Sequence, residues 1–315
     1  MKYLLVVVLF CASVCCGNMK IAFVADISYL QANSAILNGI KNISKELSVS
    51  RGEQIEVAFF EFDNSKKQSD MLSNLYMNGF SGAVLLPVDN NAELSSKISE
   101  LKKSHFPIVV LDNKVNFSDA LCSIYTNQDM RIALIENVIN KRSSKNTKIA
   151  CYLKGTSSKS VPVNDDIQIK QYLPYPSDFY LFTSIFKSRI LSIDVVDFYS
   201  SYADINKVEI MRRDSYGEVF FSPKILSNMQ PITPDTDRAF ALCVGALPML
   251  EFYLATSAIT DCIYDDYYGW GVFAIRAIVD YKNNVKVSSQ YAVRPIYVTN
   301  DNYKIFSSDW QKWLR

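Results

Sequence analysis

Histidine is almost missing from this sequence: His105 is the single one among 315 residues. That excludes every chemistry needing two imidazoles, His-rich zinc sites included. An excess of one charge is missing as well, since 33 basic side chains balance 32 acidic ones. A chain this close to neutrality carries no electrostatic footprint for a phosphate backbone, which sets DNA and RNA aside as partners. The sequence has no G-x-S-x-G, no P-loop and no G-x-G-x-x-G, and Gly269-Trp270-Gly271 lacks the third glycine of a dinucleotide loop. The acidic pairs Asp165-Asp166 and Asp265-Asp266 bring no further oxygen ligands of the kind Ca²⁺ requires. His105 sits in a loop ahead of a strand, where an exposed side chain is expected. These absences speak against an enzyme, and no cofactor is implied. What is present is half apolar, 49% hydrophobic and 13% aromatic, which excludes disorder and allows a sizeable core. The length suits two domains of about 150 residues.

The chain opens on Lys2, an apolar run from Tyr3 to Val14, and Cys15-Cys16-Gly17-Asn18. One charge, a short hydrophobic stretch and small residues after it describe an export signal over residues 1–17. The run falls short of the roughly 20 residues that a spanning helix needs. Cys15 or Cys16 is a candidate for lipidation, although neither is preceded by the preferred Leu, small residue, Gly or Ala. Cleavage after Gly17 is the competing reading. Beyond the leader, Cys122, Cys151, Cys243 and Cys262 lie in apolar runs without CxxC spacing and read as core.

From Lys20 onward, strands and helices alternate. Lys20 to Ala25, Ile55 to Phe62, Ala83 to Val88 and Pro107 to Leu111 read as strands. Between them, Ile36, Ile40, Ile43 and Leu47 mark one face of a helix, Met71 to Leu75 a short second one, and Leu94, Ile98 and Leu101 a third. Continuous apolar strands separated by amphipathic helices predict a parallel sheet in a doubly wound α/β layer. The second half repeats the pattern. Helix 131–138 precedes strand 148–153; after an irregular stretch from Gly155 to Pro176 come a helix over 177–190, strands over 193–198, 218–221 and 239–244, a helix over 247–258, strand 260–264, helix 270–281 and a closing strand over 291–298. No composition shift marks a linker. Two Rossmann-like lobes, joined by several chain crossings with a ligand cleft between them, fit best.

This order, together with local sequence, resembles the type I periplasmic binding proteins, the ribose-binding-like receptors of sugar ABC transporters. The resemblance covers residues 20–305. Its best stretches are Lys20 to Leu47 with Gly39, Gly82 to Asp89, Pro107 to Asp112, and Ile263-Tyr-Asp-Asp-Tyr-Tyr-Gly-Trp-Gly271. In the last, Asp266, Tyr268 and Gly271 match the family's Asp, Tyr and Gly, and Asp265 takes its Gln position. The family also shares its fold with the core of LacI-type repressors. An export signal stands where a repressor has its helix-turn-helix, which argues against a repressor.

The resemblance implies lobes of residues 19–126 with 266–292 and of 127–265 with 293–315, closing on a small ligand by hinge motion. Ligand contacts are then expected at strand ends. Counting back from Gly39 reaches Leu30-Gln31-Ala32-Asn33 instead of an aromatic wall, which leaves Tyr29 or Gln31 to reach the cleft, or neither. Asp112 and Asn113 take the family's Asp-Arg position, and Asp112 can bind hydroxyls, cap a helix or neutralise Lys114. Asp89 fits the family's Asp at a helix start, with a helix N-cap (by Asp89 or Asn90) the stronger reading. Asp265 is the surviving polar group of the second lobe. Three customary anchors of that lobe are absent, including any Arg between Ser143 and Ser188. The resemblance implies a small, sugar-like ligand, an ABC permease or a membrane sensor kinase as partner, a monomer, and a periplasmic or otherwise exported location. The lost anchors keep open a degenerate member acting through protein contacts.

Overall fold

The structure, a computed structural model, describes residues 18–89, 91–112, 117–142, 148–152, 159–162, 195–199, 216–220, 239–245 and 250–306. Strand β1 (Asn18–Asp26) can lie inside the first sheet because Ile21 to Ala25 are apolar on both faces, and all five are fully buried. After one 3₁₀ turn, helix α1 (Leu30–Arg51) turns Ile36, Ile40, Ile43 and Leu47 inward, at the helical spacing of their sequence positions. It stops at Gly52, whose left-handed φ of 67° lets its N–H reach Ser48 O.

Strand β2 (Gln54–Phe62), helix α2 (Ser65–Met77), strand β3 (Gly82–Leu85), helix α3 (Ala92–Lys103), strand β4 (Ile108–Leu111) and strand β5 (Cys122–Thr126) complete the first run. Asn64 caps α2 and Asn91 caps α3, each accepting an N–H three residues on. The cap of α3 is therefore Asn91 and not Asp89, which is exposed beyond the end of β3. His105 is exposed just after α3.

Helix α4 (Gln128–Arg142) then leads into a second sheet. Its strands are β6 (Lys148–Tyr152), β7 (Lys159–Pro162), β8 (Val195–Tyr199), β9 (Tyr216–Phe220), β10 (Phe240–Val244) and β11 (Asp261–Tyr264), with the short helix α5 (Leu250–Ala255) between the last two. Helix α6 (Tyr267–Lys282) returns to pack along α1. The helix expected over 177–190 and the side chain of Cys151 lie outside the described residues; Cys122, Cys243 and Cys262 are buried thiols.

The closing segment departs from the single strand expected over 291–298. It is two strands, β12 (Gln290–Val293) beside β5 in the first sheet and β13 (Ile296–Thr299) beside β11 in the second. Pro295 stands between them, where a missing N–H ends the first ladder. The first sheet is all parallel, in the order β12-β5-β4-β3-β1-β2; the second runs β13-β11-β10-β9-β6-β8-β7, with antiparallel strands at both edges. The architecture is thus two doubly wound α/β layers, and the chain passes between them after β5, after β11 and after β12. In each sheet the order reverses beside an early strand, β1 or β6. A crevice opens outside the carboxyl ends of strands at such a reversal.

Candidate functional site at the strand ends

The carboxyl end of β1 delivers Asp26, whose carboxylate accepts from the Ser28 N–H (2.8 Å) and hydroxyl (2.7 Å) and so shapes the turn into α1. That turn places Tyr29. Its hydroxyl donates to Asp112 Oδ2 at 2.6 Å, across 83 residues of sequence. Asp112 ends β4 with φ 79°, a left-handed backbone that is costly outside glycine, while its N–H remains on Ile124 O. Backbone strain held in this way marks sites where the side-chain direction matters. Here it goes with a carboxylate hydrogen-bonded to a phenol of the neighbouring loop.

A second carboxylate lies at the crossing after β11. Asp265 accepts from Arg131 Nη1 at 3.0 Å, and the two side chains are 15% and 18% exposed. The same guanidinium donates through Nε and Nη2 to Gln128 Oε1, at 3.1 and 2.7 Å, so the planar fork is fixed on both sides. Tyr267 follows closely, its backbone N–H on Asp265 O at 2.8 Å and its phenol within reach of the Asp265 charge. Burial first, and then the facing carboxylates, hold both phenols well above the usual tyrosine range: Asp112 acts on Tyr29, and Asp265 followed by Asp112 on Tyr267. Each phenol also feels the other residue pair, which makes Tyr29, Asp112, Asp265, Tyr267 and Arg131 one electrostatic cluster. Tyr29 is a donor here, and Tyr267 packs against the cores of both sheets.

Asp266 has a different task. It caps α6 by accepting the Gly269 N–H at 2.8 Å. A Cβ on Gly269 would lie 2.2 Å from Asp266 Oδ2, so the cap needs glycine there. Burial raises the Asp266 carboxyl, against the lowering effect of that N–H. Tyr268 turns aside, its hydroxyl accepting from Asn42 on α1.

Of the residues singled out in the sequence, the structure brings Tyr29, Asp112 and Asp265 together and leaves Asp89 exposed at the rim. Asn113, Cys15 and Cys16 lie outside the described residues, and Gln31 is described by its backbone alone. Sequence reasoning missed Arg131, the cation of the cluster. It also missed Asn33, whose amide nitrogen joins Asp26 O (2.8 Å) to Glu61 Oε1 (2.9 Å) at the ends of β1 and β2. A carboxylate network at the opposite end of the second sheet, Asp261 with Arg142, Tyr297 and Thr260, ties α4 to β11 and β13 away from the cleft.

Chemically, the cluster offers hydrogen-bond acceptors, phenol faces and one engaged guanidinium. The three described thiols are buried, and burial pushes Cys122 up to about 12 and raises Cys243 and Cys262 well above the usual thiol range, so none is poised as a nucleophile. Among the described residues no group of three or more His, Cys, Asp or Glu is arranged to hold a metal, and no helix is long and apolar enough to cross a membrane.

Two parallel-cored α/β layers with three crossings and polar groups at the facing strand ends define the type I periplasmic binding protein fold. Solved structures agree. A sugar-binding protein of a sugar ABC transporter from Bacillus halodurans matches over 92% of this chain and 100% of its own, with a TM-score of 0.70 and 10% identity. A periplasmic ribose ABC transporter protein from Conexibacter woesei matches over 95% and 99%, with a TM-score of 0.66 and 12% identity. A chain of the XylFII–LytSN complex matches over 90% and 99%, at 0.61 and 15%. Other matching structures carry the names of binding proteins. No family model matches the sequence, and no curated protein is similar to it.

Proposed function

We propose that the chain is an exported solute-binding protein, not an enzyme, that captures a small sugar-like ligand by lobe closure and presents it to an ABC permease. In this reading residues 19–126 with 266–292 form one lobe, residues 127–265 with 293–315 form the other, and residues 1–17 are the export leader. The observation that carries it is the meeting of Tyr29 and Asp112 from the first sheet with Arg131 and Asp265 from the segments joining the two sheets. Buried polar groups of this kind are costly unless they serve a partner or each other. The solved structures of this fold include a glucose-galactose binding protein and an arabinose-bound one, which supports a sugar-like solute.

The test is a thermal-shift screen of the chain from Asn18 against sugars, polyols, nucleosides, amino acids and cationic metabolites. A ligand that binds the folded state alone stabilises it by about 2.7 kcal/mol at a hundredfold excess over its dissociation constant. Asp112→Ala and Asp265→Ala should each abolish that shift while leaving the folded state intact. If both variants respond like the parent chain, the cleft has been misplaced. Co-purification with a membrane sensor kinase in place of a permease would turn the same receptor into a signalling one.

A further inference from the structure

The chain enters the first lobe at the end opposite the cleft. All six strands of the first sheet are parallel, so their amino ends lie together there with the last turns of α1, α2, α3 and α6. Direct contacts join these ends into one surface. Arg51 Nη2 of α1 donates to Asp280 Oδ1 of α6 at 2.9 Å, and Lys282 Nζ of α6 to His105 O past α3 at 3.5 Å. Tyr76 of α2 meets Phe106 edge to face, with ring centroids 5.9 Å apart. Strand β1 starts on this surface at exposed Asn18, beside Gln54 of β2, and the Ser81 N–H ahead of β3 donates to Lys20 O at 2.6 Å.

Apolar side chains are left bare around that entry. Val49, Tyr76, Met77 and Val285 are four of the nine large hydrophobic residues exposed among the described residues, Val49 at 87% and Met77 at 71%. Each stands in or just past the last turn of α1, α2 or α6. The charge beside them is positive. Lys20, Arg51, Lys97 and Lys102 pair with Glu56, Asp280, Glu100 and Asp119. Lys103, Lys282 and Lys286 make no ion pair among the described residues, and Glu53 is the one acid left over at this end. Lys103 and Lys282 answer the helix dipoles there, which accounts for neither Lys286 nor the bare apolar groups. Burial lowers the Lys282 ammonium from the usual lysine range, and a neighbouring anion would reverse that.

Bare apolar groups among lysines suit the interface of an anionic bilayer, where the first enter the headgroup layer and the second are drawn to the surface. The sequence ahead of Asn18 selects a bilayer over a protein partner. Cys15 and Cys16, the candidates for lipidation, stand three and two residues before Asn18, behind the apolar run from Tyr3 to Val14. Three residues of extended chain reach about 10 Å at most. An anchor there brings this end of the lobe against the membrane.

Resting on the reading of residues 1–17 as an export leader, we propose that the amino-end surface of the first lobe is a contact face for an anionic phospholipid bilayer. Val49, Tyr76, Met77 and Val285 enter the headgroup layer, and Lys103, Lys282 and Lys286 face lipid phosphates. The cleft, at the carboxyl ends of the same strands, is turned away and stays open to solute.

Co-sedimentation at low ionic strength tests this on the chain from Asn18, with vesicles of phosphatidylglycerol and phosphatidylcholine in equal parts beside vesicles of phosphatidylcholine alone. Partitioning onto the anionic vesicles should be stronger by about tenfold or more. Lys103→Gln/Lys282→Gln/Lys286→Gln should remove that advantage, and Val49→Ser/Met77→Ser/Val285→Ser should weaken partitioning at unchanged charge. Phe252→Ser, at an exposed aromatic of α5 in the second lobe, should leave it as it is. Circular dichroism checks each fold, and Lys286→Glu, in an exposed loop, serves if the triple lysine variant does not fold. Partitioning that is absent, equal on both kinds of vesicle, or indifferent to the lysine and serine variants overturns the membrane face. Self-association in vesicle-free buffer that the triple serine variant abolishes overturns it too, because the face then belongs to a second copy. The leader is tested apart, by mass spectrometry of the N-terminus after expression of the full chain. A soluble chain with residues 1–17 intact and unmodified overturns the leader reading, whatever the vesicles show.

Discussion

Replacing Gly271 by alanine adds one methyl group where α6 lies against α1. The new Cβ would stand 2.2 Å from Ile36 O and 2.9 Å from Ile40 N, where ordinary contact starts at 3.4 Å. Both obstacles are backbone atoms inside a helix, so no rotamer change clears them and the two helices must separate. Overpacking of a tight contact costs about 1–3 kcal/mol, and an immovable obstacle places this case near 3. Alanine returns about 1 kcal/mol of helix propensity. The net expectation is a loss of about 2 kcal/mol, or about 4–8 °C in melting temperature for a domain of this order of size. Gly39→Ala on the opposite helix should cost the same, because its Cβ would lie 2.2 Å from Tyr268 O.

The double variant makes the reasoning sharp. If one separation of the helices relieves both clashes, the strain is shared while the propensity gain is counted twice. Gly39→Ala/Gly271→Ala should then lose about 1 kcal/mol in total, and not the 4 that independent sites would give. Urea unfolding followed by circular dichroism reads all three. A Gly271→Ala protein as stable as the parent refutes the close seam, and strict additivity refutes the shared separation. Because α6 begins at the Asp266 cap and Tyr267, a parted seam should also loosen the hold of Asp266 on the Gly269 N–H.

Further expectations follow from single groups. Asp266→Ala removes the cap on Gly269 and should cost about 1 kcal/mol, whereas Asp266→Asn keeps an acceptor there. Burial raises the Asp266 carboxyl in the folded state, so its contribution to stability is greatest below the unfolded value of about 3.9 and is lost as pH climbs through the folded value. The parent chain should therefore fall relative to Asp266→Asn as urea unfolding is repeated from pH 3 to pH 7; an opposite trend would show the cap outweighing burial. Arg131→Leu strips the guanidinium from Asp265 and should destabilise by about 2 kcal/mol, less than for a sealed ion pair since both partners touch solvent. Peptides carrying Cys122, Cys243 and Cys262 should stay unmodified by iodoacetamide in the native protein and react on unfolding, as mass spectrometry would read.

Much of the fold is written in local patterns. The run of buried residues from Ile21 to Ala25 and the spacing of Ile36, Ile40, Ile43 and Leu47 are short-range signals, and β1 and α1 follow from them directly. The closing segment was not legible because β12 and β13 share one apolar character. Which sheet each joins depends on partners about 165 and 36 residues away, Ser123 and Cys262 among them. The site shows the same division. Asp112 and Asp265 could be placed because strand ends are local features, whereas Arg131 meets Asp265 over a separation of 134 residues and no motif announces it. Gly39 and Gly271 stood out as glycines in helical stretches, yet their reason, a close crossing of α1 and α6, exists in three dimensions alone.

Arg131 also explains how a cleft can lack the customary arginine of the second lobe and still hold its acid in place. No arginine occurs between Ser143 and Ser188. The cation comes instead from the start of α4, one residue turn past the first crossing, where Asn127 N–H is already tied to Val293 O at the third crossing. Arg131 then reaches Asp265 at the second crossing, so two contacts link all three passages of the chain. A guanidinium held by Gln128 on one side and Asp265 on the other has little freedom left to follow a ligand. Lysine, a point charge on a flexible stem, cannot keep both contacts. Arg131→Lys should for that reason retain the charge yet lose about 1 kcal/mol of stability, with Asp265 less firmly placed; a variant as stable as the parent in urea would show that charge alone, and not the fork, holds the three crossings together.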